Sequence, residues 1–306
     1  MKRLQPFLIS LFTMLLIPSV ASAVSVAPTN LELTAERGQT ISSSITVLNT
    51  QASDQEYFVD LMSFKPKDDS GTPEFFSSDD FANDLTGWIL FDSKSYIVPA
   101  LSSSEIPFQV VVPDDVPSGG YYAAVTVSPA PADVVAANGA IIEAKTAVLV
   151  LLTVEGETQE DLELLDFAST GGAFDLPRRS FQFRLQNQGN VHVTPVGNIK
   201  LTGLFGQTIL DLDANKDEGR VLPASTRMFA VTSSDESTSW YDTVAFQLSH
   251  LAIGPVTATL DLTYGESGAI QSSLSFWVFP WQLLVTLVGL LIVLCVGYRF
   301  LRRKRL

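Results

Sequence analysis

Between positions 277 and 298 the chain carries no charged side chain, and this one stretch limits how everything before it can be arranged. As a helix it spans about 33 Å, enough for the hydrocarbon core of a bilayer. Trp277, Trp281 and Tyr298 stand where interfacial aromatic residues are expected. Arg299, Arg302, Arg303, Lys304 and Arg305 follow at once. Basic residues favour the cytoplasmic side, which places the tail 299–306 inside and the chain before the helix outside. A helix buried in a soluble core would not end on five cations. A wall-sorting signal also combines an apolar run with a basic end, but it needs a recognition motif just before the run. Leu274-Ser275-Phe276-Trp277 is not such a motif. Leu222-Pro223-Ala224-Ser225-Thr226 looks like part of one, but it lies far upstream and lacks the final Gly.

The other end reads as an export signal. Lys2 and Arg3 precede an uncharged apolar run over 4–20, and Ala21-Ser22-Ala23 has the small-x-small pattern of a signal-peptidase site. Residues 1–23 are therefore expected to be a cleaved signal peptide. What remains is about 250 residues, enough for two domains of ordinary size. The two terminal segments hold seven of the 19 basic residues and none of the 33 acids, so the ectodomain has a formal charge of −21. Such a charge argues against nucleic acid and against docking on anionic lipid, both of which are polyanions. The single cysteine, Cys295, lies inside the apolar run. The ectodomain must fold on its hydrophobic core without disulfides or thiolate-bound metal, as suits a bacterial envelope.

Strand signals dominate that ectodomain. Apolar and polar residues alternate through Leu31 and Leu33 and on through Ile41 to Val47, and Tyr57 to Leu61, 88–91, 106–112, 121–127 and 141–154 read as further strands. Seven or so short strands with turns between them predict an immunoglobulin-like sandwich over 24–156. The acidic, polar stretch near Gly156 is the expected boundary. A second sandwich is predicted over 157–276, from strands at 162–167, 181–186, 196–201, 208–212, 226–231, 243–248, 256–262 and 271–278. No amphipathic helix of normal length is expected before the anchor. The fold class is thus all-β: two tandem immunoglobulin-like sandwiches and one C-terminal transmembrane helix, 277–298. Two long connections stand out, 65–86 and the Ala/Pro-rich 129–139.

Val26-Ala27-Pro28-Thr29, Gly38-Gln39-Thr40 and Ile45-Thr46-Val47-Leu48-Asn49-Thr50 resemble the first strands of pilus-chaperone-like immunoglobulin-like domains. Val112-Pro113 followed by Gly119-Gly120-Tyr121-Tyr122 resembles a strand of membrane-anchored bacterial surface proteins. The layout of signal, two sandwiches, helix and basic tail is similar to that of the WxL-interacting proteins. That resemblance implies a first domain directed at the cell wall and a second directed at a partner protein. Asn187-Gln188-Gly189-Asn190-Val191-His192 and 221–227 look like family-type segments of the second domain. The resemblance attaches no chemical role to them.

Few residues suggest chemistry. His192 and His250 are the only histidines, no G-x-S-x-G elbow accompanies them, and both read as surface residues. Two separated histidines without cysteine fall short of a zinc site. Asp211, Asp213, Asn215 and Asp217, with Glu218 beside them, supply oxygen ligands at alternate positions and form the one weak calcium candidate. An EF-hand needs Gly at position six and Glu at twelve, and neither register provides them. Phe75, Phe76, Phe81 and Trp88 gather around the long connection and are the candidate contact residues. Tyr121 and Tyr122 should face opposite sides of their strand. The expected function is non-enzymatic, with no cofactor. The chain reads as a binding or adhesion protein held in the plasma membrane with its ectodomain outside, meeting cell-wall polymer or a surface protein. The alternatives are a structural subunit of an envelope complex and an envelope hydrolase.

Overall fold

The structure is a computed structural model that describes residues 24–76, 84–129, 145–171, 176, 179–233 and 239–303. The expected signal peptide, Phe81 and most of the Ala/Pro-rich connection lie outside the described residues.

The first sandwich contains β1 (Ser25–Ala27), β2 (Asn30–Ala35), β3 (Thr40–Leu48), β4 (Gln55–Pro66), β5 (Pro73–Phe76), β6 (Ile89–Phe91), β7 (Ser95–Val98), β8 (Ser103–Val111), β9 (Gly119–Ser128) and β10 (Thr146–Val154). One sheet runs β1-β3-β8-β6 and the other β2-β10-β9-β4-β5, with β7 also paired to β4. The first segment serves both sheets. β1 pairs antiparallel with β3, and after Pro28, which cannot donate to a ladder, β2 pairs in parallel with β10. The alternation read from β8 is the physical pattern: Ile106, Phe108 and Val110 are buried between exposed Pro107, Gln109 and Val111. They meet Ile45, Val47, Val125, Val127, Val148 and Val150 in one core.

β9 departs from simple alternation, because all ten of its residues are buried. Tyr121, Ala123, Val125 and Val127 face the sandwich core. Tyr122 and Ala124 join Phe64 and Leu151 in a separate cluster on the opposite face of the sheet. The two tyrosines do point to opposite sides, yet the outward one is covered. β4 makes room for this second cluster. It pairs with β9 as far as Met62 and then turns away to pair with β5, while Asp84 takes its place beside Tyr122.

The second sandwich contains β11 (Leu162–Thr170), β12 (Ser180–Asn187), β13 (Val196–Thr202), β14 (Thr208–Asp213), β15 (Thr226–Thr232), β16 (Gly254–Tyr264) and β17 (Gly268–Val278). Its sheets are β11-β12-β15 and β14-β13-β16-β17. Phe181, Phe183, Leu185, Ile199, Leu201, Leu260 and Leu262 form its core.

Several expectations need correction. The strand predicted at 243–248 is part of a helix, α1 (Trp240–Ser249), so a helix of normal length does precede the C-terminal apolar one. Ser239 caps it: the side-chain oxygen accepts from the Asp242 N–H at 3.1 Å, and Thr243 bonds back to the Ser239 carbonyl. The sequence Ser239-x-x-Asp242 was the missed signal. Trp88 lies in a 3₁₀ turn, Thr86–Trp88, instead of a strand. Part of the connection over 65–86 is an ordered hairpin, β4 with β5. Trp277 belongs to β17, and the apolar helix α2 runs Trp281–Arg303, four residues later than its predicted start. Among the described residues, α2 is the one helix long and apolar enough to cross a membrane.

Candidate functional site: the cleft between the two sandwiches

The second cluster on β9 is where the two sandwiches meet, because Leu222 of the second packs onto it. From the first sandwich come Phe64, whose ring centroid lies 6.3 Å from that of Tyr122 and 6.4 Å from that of Phe75, and Leu149 and Leu151 on β10. From the second comes the loop between β14 and β15. Together they line a cavity of about 200 Å³, with Phe64, Leu149, Leu151 and Leu222 as its apolar part and Asp217, Glu218, Arg220 and Arg227 as its charged part.

Two polar clamps hold the cleft. At one side the β4–β5 hairpin reaches across. Asp68 organises its tip by accepting from the Ser70 N–H at 2.8 Å, and the Ser70 bonds hold the Asp68 carboxyl below its usual value. Asp69 then faces the second sandwich. Its carbonyl accepts from the Met228 N–H at 2.6 Å, and its carboxylate pairs with Arg184 at 2.5 Å. The hairpin thus begins to pair with β15, an edge strand of its sheet. At the other side Glu32 on β2 accepts from Arg220 and lies 4.0 Å from His192 Nε2, while the Tyr122 hydroxyl lies 3.4 Å from His192 Nδ1.

His192 is therefore buried at the junction, contrary to the surface position expected for it. Burial pushes its imidazole below the usual histidine value; Glu32 opposes that shift and Arg220 adds to it. Burial drives the neighbouring Tyr122 phenol upward, so it stays protonated. The turn before His192 completes the clamp. The Asn190 carbonyl accepts from the Gly120 N–H at 2.8 Å, and its side-chain amide donates to Ser118 and Glu157 carbonyls. Gly189 allows this approach, since a Cβ there would strike the Gln159 carbonyl.

Arg220 and Arg227 share the cleft with Asp217 and Glu218, so its charged part holds two cations and two acids. Arg220 donates to Glu32 and to the Glu218 carbonyl, and Arg227 donates to the Arg220 carbonyl at 2.9 Å. Arg227 also lies 5.4 Å from the Phe229 ring centroid. Burial, with Arg220 beside it, lowers the Arg227 value, but a guanidinium remains a cation. Two guanidinium groups carry ten N–H donors in all, more than these bonds engage. The arrangement can grip a carbonyl or carboxylate oxygen while an apolar side chain sits on the lining below.

The residues singled out in the sequence are dispersed. Phe75 packs on the junction cluster, whereas Phe76 stacks under Lys65 with 4.6 Å from Nζ to ring centroid. Trp88 lies against Tyr121, with centroids 4.5 Å apart, on the core side of β9. Asp211 accepts from Asn198, and Asp213 accepts from the Asn215 N–H. The Asn215 amide is committed to the Pro195 and Gly219 carbonyls, which staples the loop carrying Asp217 and Glu218. Among the described residues, no three acidic, histidine or cysteine side chains are grouped to hold a metal. His250 ends α1, stacked on Phe246. Of the residues that build the cleft, Glu32, Arg184 and Arg220 were not picked out from the sequence, and Asp69 and Arg227 fell only within longer segments that carried no assigned role. One signal was available: residues 24–298 hold only 12 basic residues against 33 acids, and three of the 12 are these arginines.

No protein-family model matches the chain, and no curated protein matches it. Solved structures similar to it include a chaperone and tip-adhesin complex of CFA/I fimbriae, at 12% identity over 82% of this chain and 98% of that one, with a TM-score of 0.41. The class 5 fimbrial chaperone CfaA is 13% identical over 84% and 99%, with a TM-score of 0.39. The Escherichia coli chaperone DraB is 11% identical over 82% and 98%, with a TM-score of 0.36.

Proposed function

We propose that this chain is a non-enzymatic envelope protein, held in the plasma membrane by α2, whose ectodomain binds a segment of a surface protein in the cleft between its sandwiches. The observation that carries this reading is the pairing of an apolar lining with Arg220 and Arg227 in one cavity. Such a lining takes up a hydrophobic side chain, and the guanidinium groups take up the peptide oxygens beside it. The edge of β15, already engaged by Asp69, gives an extended segment a direction to follow.

A photo-reactive residue in place of Asp217, which lines the cleft, tests this in cells. The expected result is an adduct of defined mass that protease removes and muramidase leaves unchanged. It should be lost when Arg220→Ala and Arg227→Ala are combined, and the same probe at exposed Phe205 should not form it. An adduct shortened by muramidase would assign the cleft to wall polymer instead. Absence of any adduct specific to the cleft would overturn the reading.

A further inference from the structure

α1 rests on the second sandwich through Phe246, partly buried against its core, yet leaves Trp240, Tyr241 and Leu248 open. Its buried positions are polar, Thr243 and Gln247, while Tyr241 and Leu248 are 78% and 67% exposed. The usual pattern puts apolar residues inward. The exposed surface continues through Leu251 and Ile253 and onto Trp277 and Phe279 beside the start of α2.

What α1 packs against explains why its two fully buried positions are polar. The Gln247 amide donates to Gln282 Oε1 at 2.6 Å and its oxygen accepts from the Leu283 N–H at 3.0 Å. The Trp240 indole N–H donates to Thr286 Oγ1 at 3.0 Å, and its ring meets that of Trp281 edge-on, with centroids 5.6 Å apart. α1 therefore lies against the first turns of α2, with Trp240 at the level of Thr286. From Thr286 to Tyr298, the last residue before the cations, α2 rises only about 18 Å. A bilayer core is about 30 Å thick. If α2 crosses the membrane, its uncharged length suffices only when the turns carrying α1 are themselves in the bilayer.

From this geometry we propose that α1, residues 251–253 and the end of β17 form a foot set into the outer lipid boundary, so that the base of the second sandwich sits within the membrane surface. This inference rests on the reading of α2 as the membrane span. The occupant of the apolar surface is lipid: tryptophan and tyrosine favour that depth, and the surface is continuous with the apolar face of α2. Asp242 is the one charged side chain on α1, and Ser239 bonds it at the helix N-terminus. Apolar contact, not headgroup charge, drives the seating, which suits an ectodomain of formal charge −21.

The test uses the full chain with Cys295→Ser, reconstituted in phosphatidylcholine vesicles. Single cysteines at positions 241, 248, 288 and 205 carry an environment-sensitive fluorophore, and lipids with a shallow or a deep nitroxide quench it. Probes at 241 and 248 should emit in the blue and be quenched several-fold more by the shallow nitroxide than by the deep one. The probe at 288 should prefer the deep quencher, and the one at 205, on a β13–β14 turn, should show neither effect. If 241 and 248 behave like 205 while 288 is quenched, the foot is wrong and the anchor stands. If 288 also behaves like 205, the anchor fails and the foot with it.

Discussion

At the tip of the β4–β5 hairpin Gly71 has a φ of +75°, and a Cβ there would lie 2.6 Å from the Arg227 guanidinium carbon. Gly71→Ala therefore meets two obstacles, a left-handed backbone and an arginine already bonded in place. It should lower stability by about 1–2 kcal/mol, read from the midpoint of urea unfolding in detergent. The core of the second sandwich is less forgiving. Phe183 is fully buried and stacks on Phe229 with centroids 5.0 Å apart. Phe183→Ala should cost about 3–5 kcal/mol in the same titration. Phe183 was legible, since strand alternation alone turns it inward. Arg220 and Arg227 were not, because alternation says which side of a strand a residue takes but not which second domain covers that side. Tyr122 shows the same gap: its direction followed from its neighbour, and its burial required Leu222 from elsewhere in the chain.

α1 shows how an element can be misread for a physical reason. Val244, Phe246 and Leu248 alternate with more polar residues, and that period of two predicts a strand. The helical alternative was hidden because its inward positions, Thr243 and Gln247, are polar. Packing on α2 decides the matter through the two hydrogen bonds of the Gln247 amide. Gln247→Ala leaves the Leu283 N–H without that partner, a loss of about 1–3 kcal/mol. The expected signature is faster hydrogen exchange across residues 240–249, with exchange in β9 unchanged. The strands themselves were read well where one face is wet, as in β8. The hairpin β4–β5 was lost in a long connection because its four-residue strand β5 carries little pattern of its own.

For the molecule as a whole, the junction makes stability sensitive to acid. His192 has a folded value below its unfolded one of 6.5, mainly through burial between Tyr122 and Glu32, with Arg220 close by. Below that pH the unfolded chain binds a proton that the folded chain does not, so stability falls as the pH drops. At pH 7.5 the histidine makes no difference of this kind. Thermal unfolding between about pH 7 and 5 should show a steeper decline for the wild type than for His192→Gln. Equal slopes would mean that the junction does not hold the imidazole neutral. The overall architecture was open to reading, since the apolar run, the basic tail and the strand series each announce themselves locally. How the two sandwiches lean together was not, because it depends on single polar contacts such as Glu32 with Arg220 between residues far apart in sequence.

Only Phe279 and Pro280 stand between β17 and α2. There is no swivel at that joint. A pull applied to α2 would run along β17, which is paired with β16 from Gly254–Val278 to Tyr264–Gly268. A load in that direction shears the whole ladder at once instead of peeling it rung by rung. With α2 anchored as proposed, the chain is strung to bear a pull, with its longest seam in line with the rope.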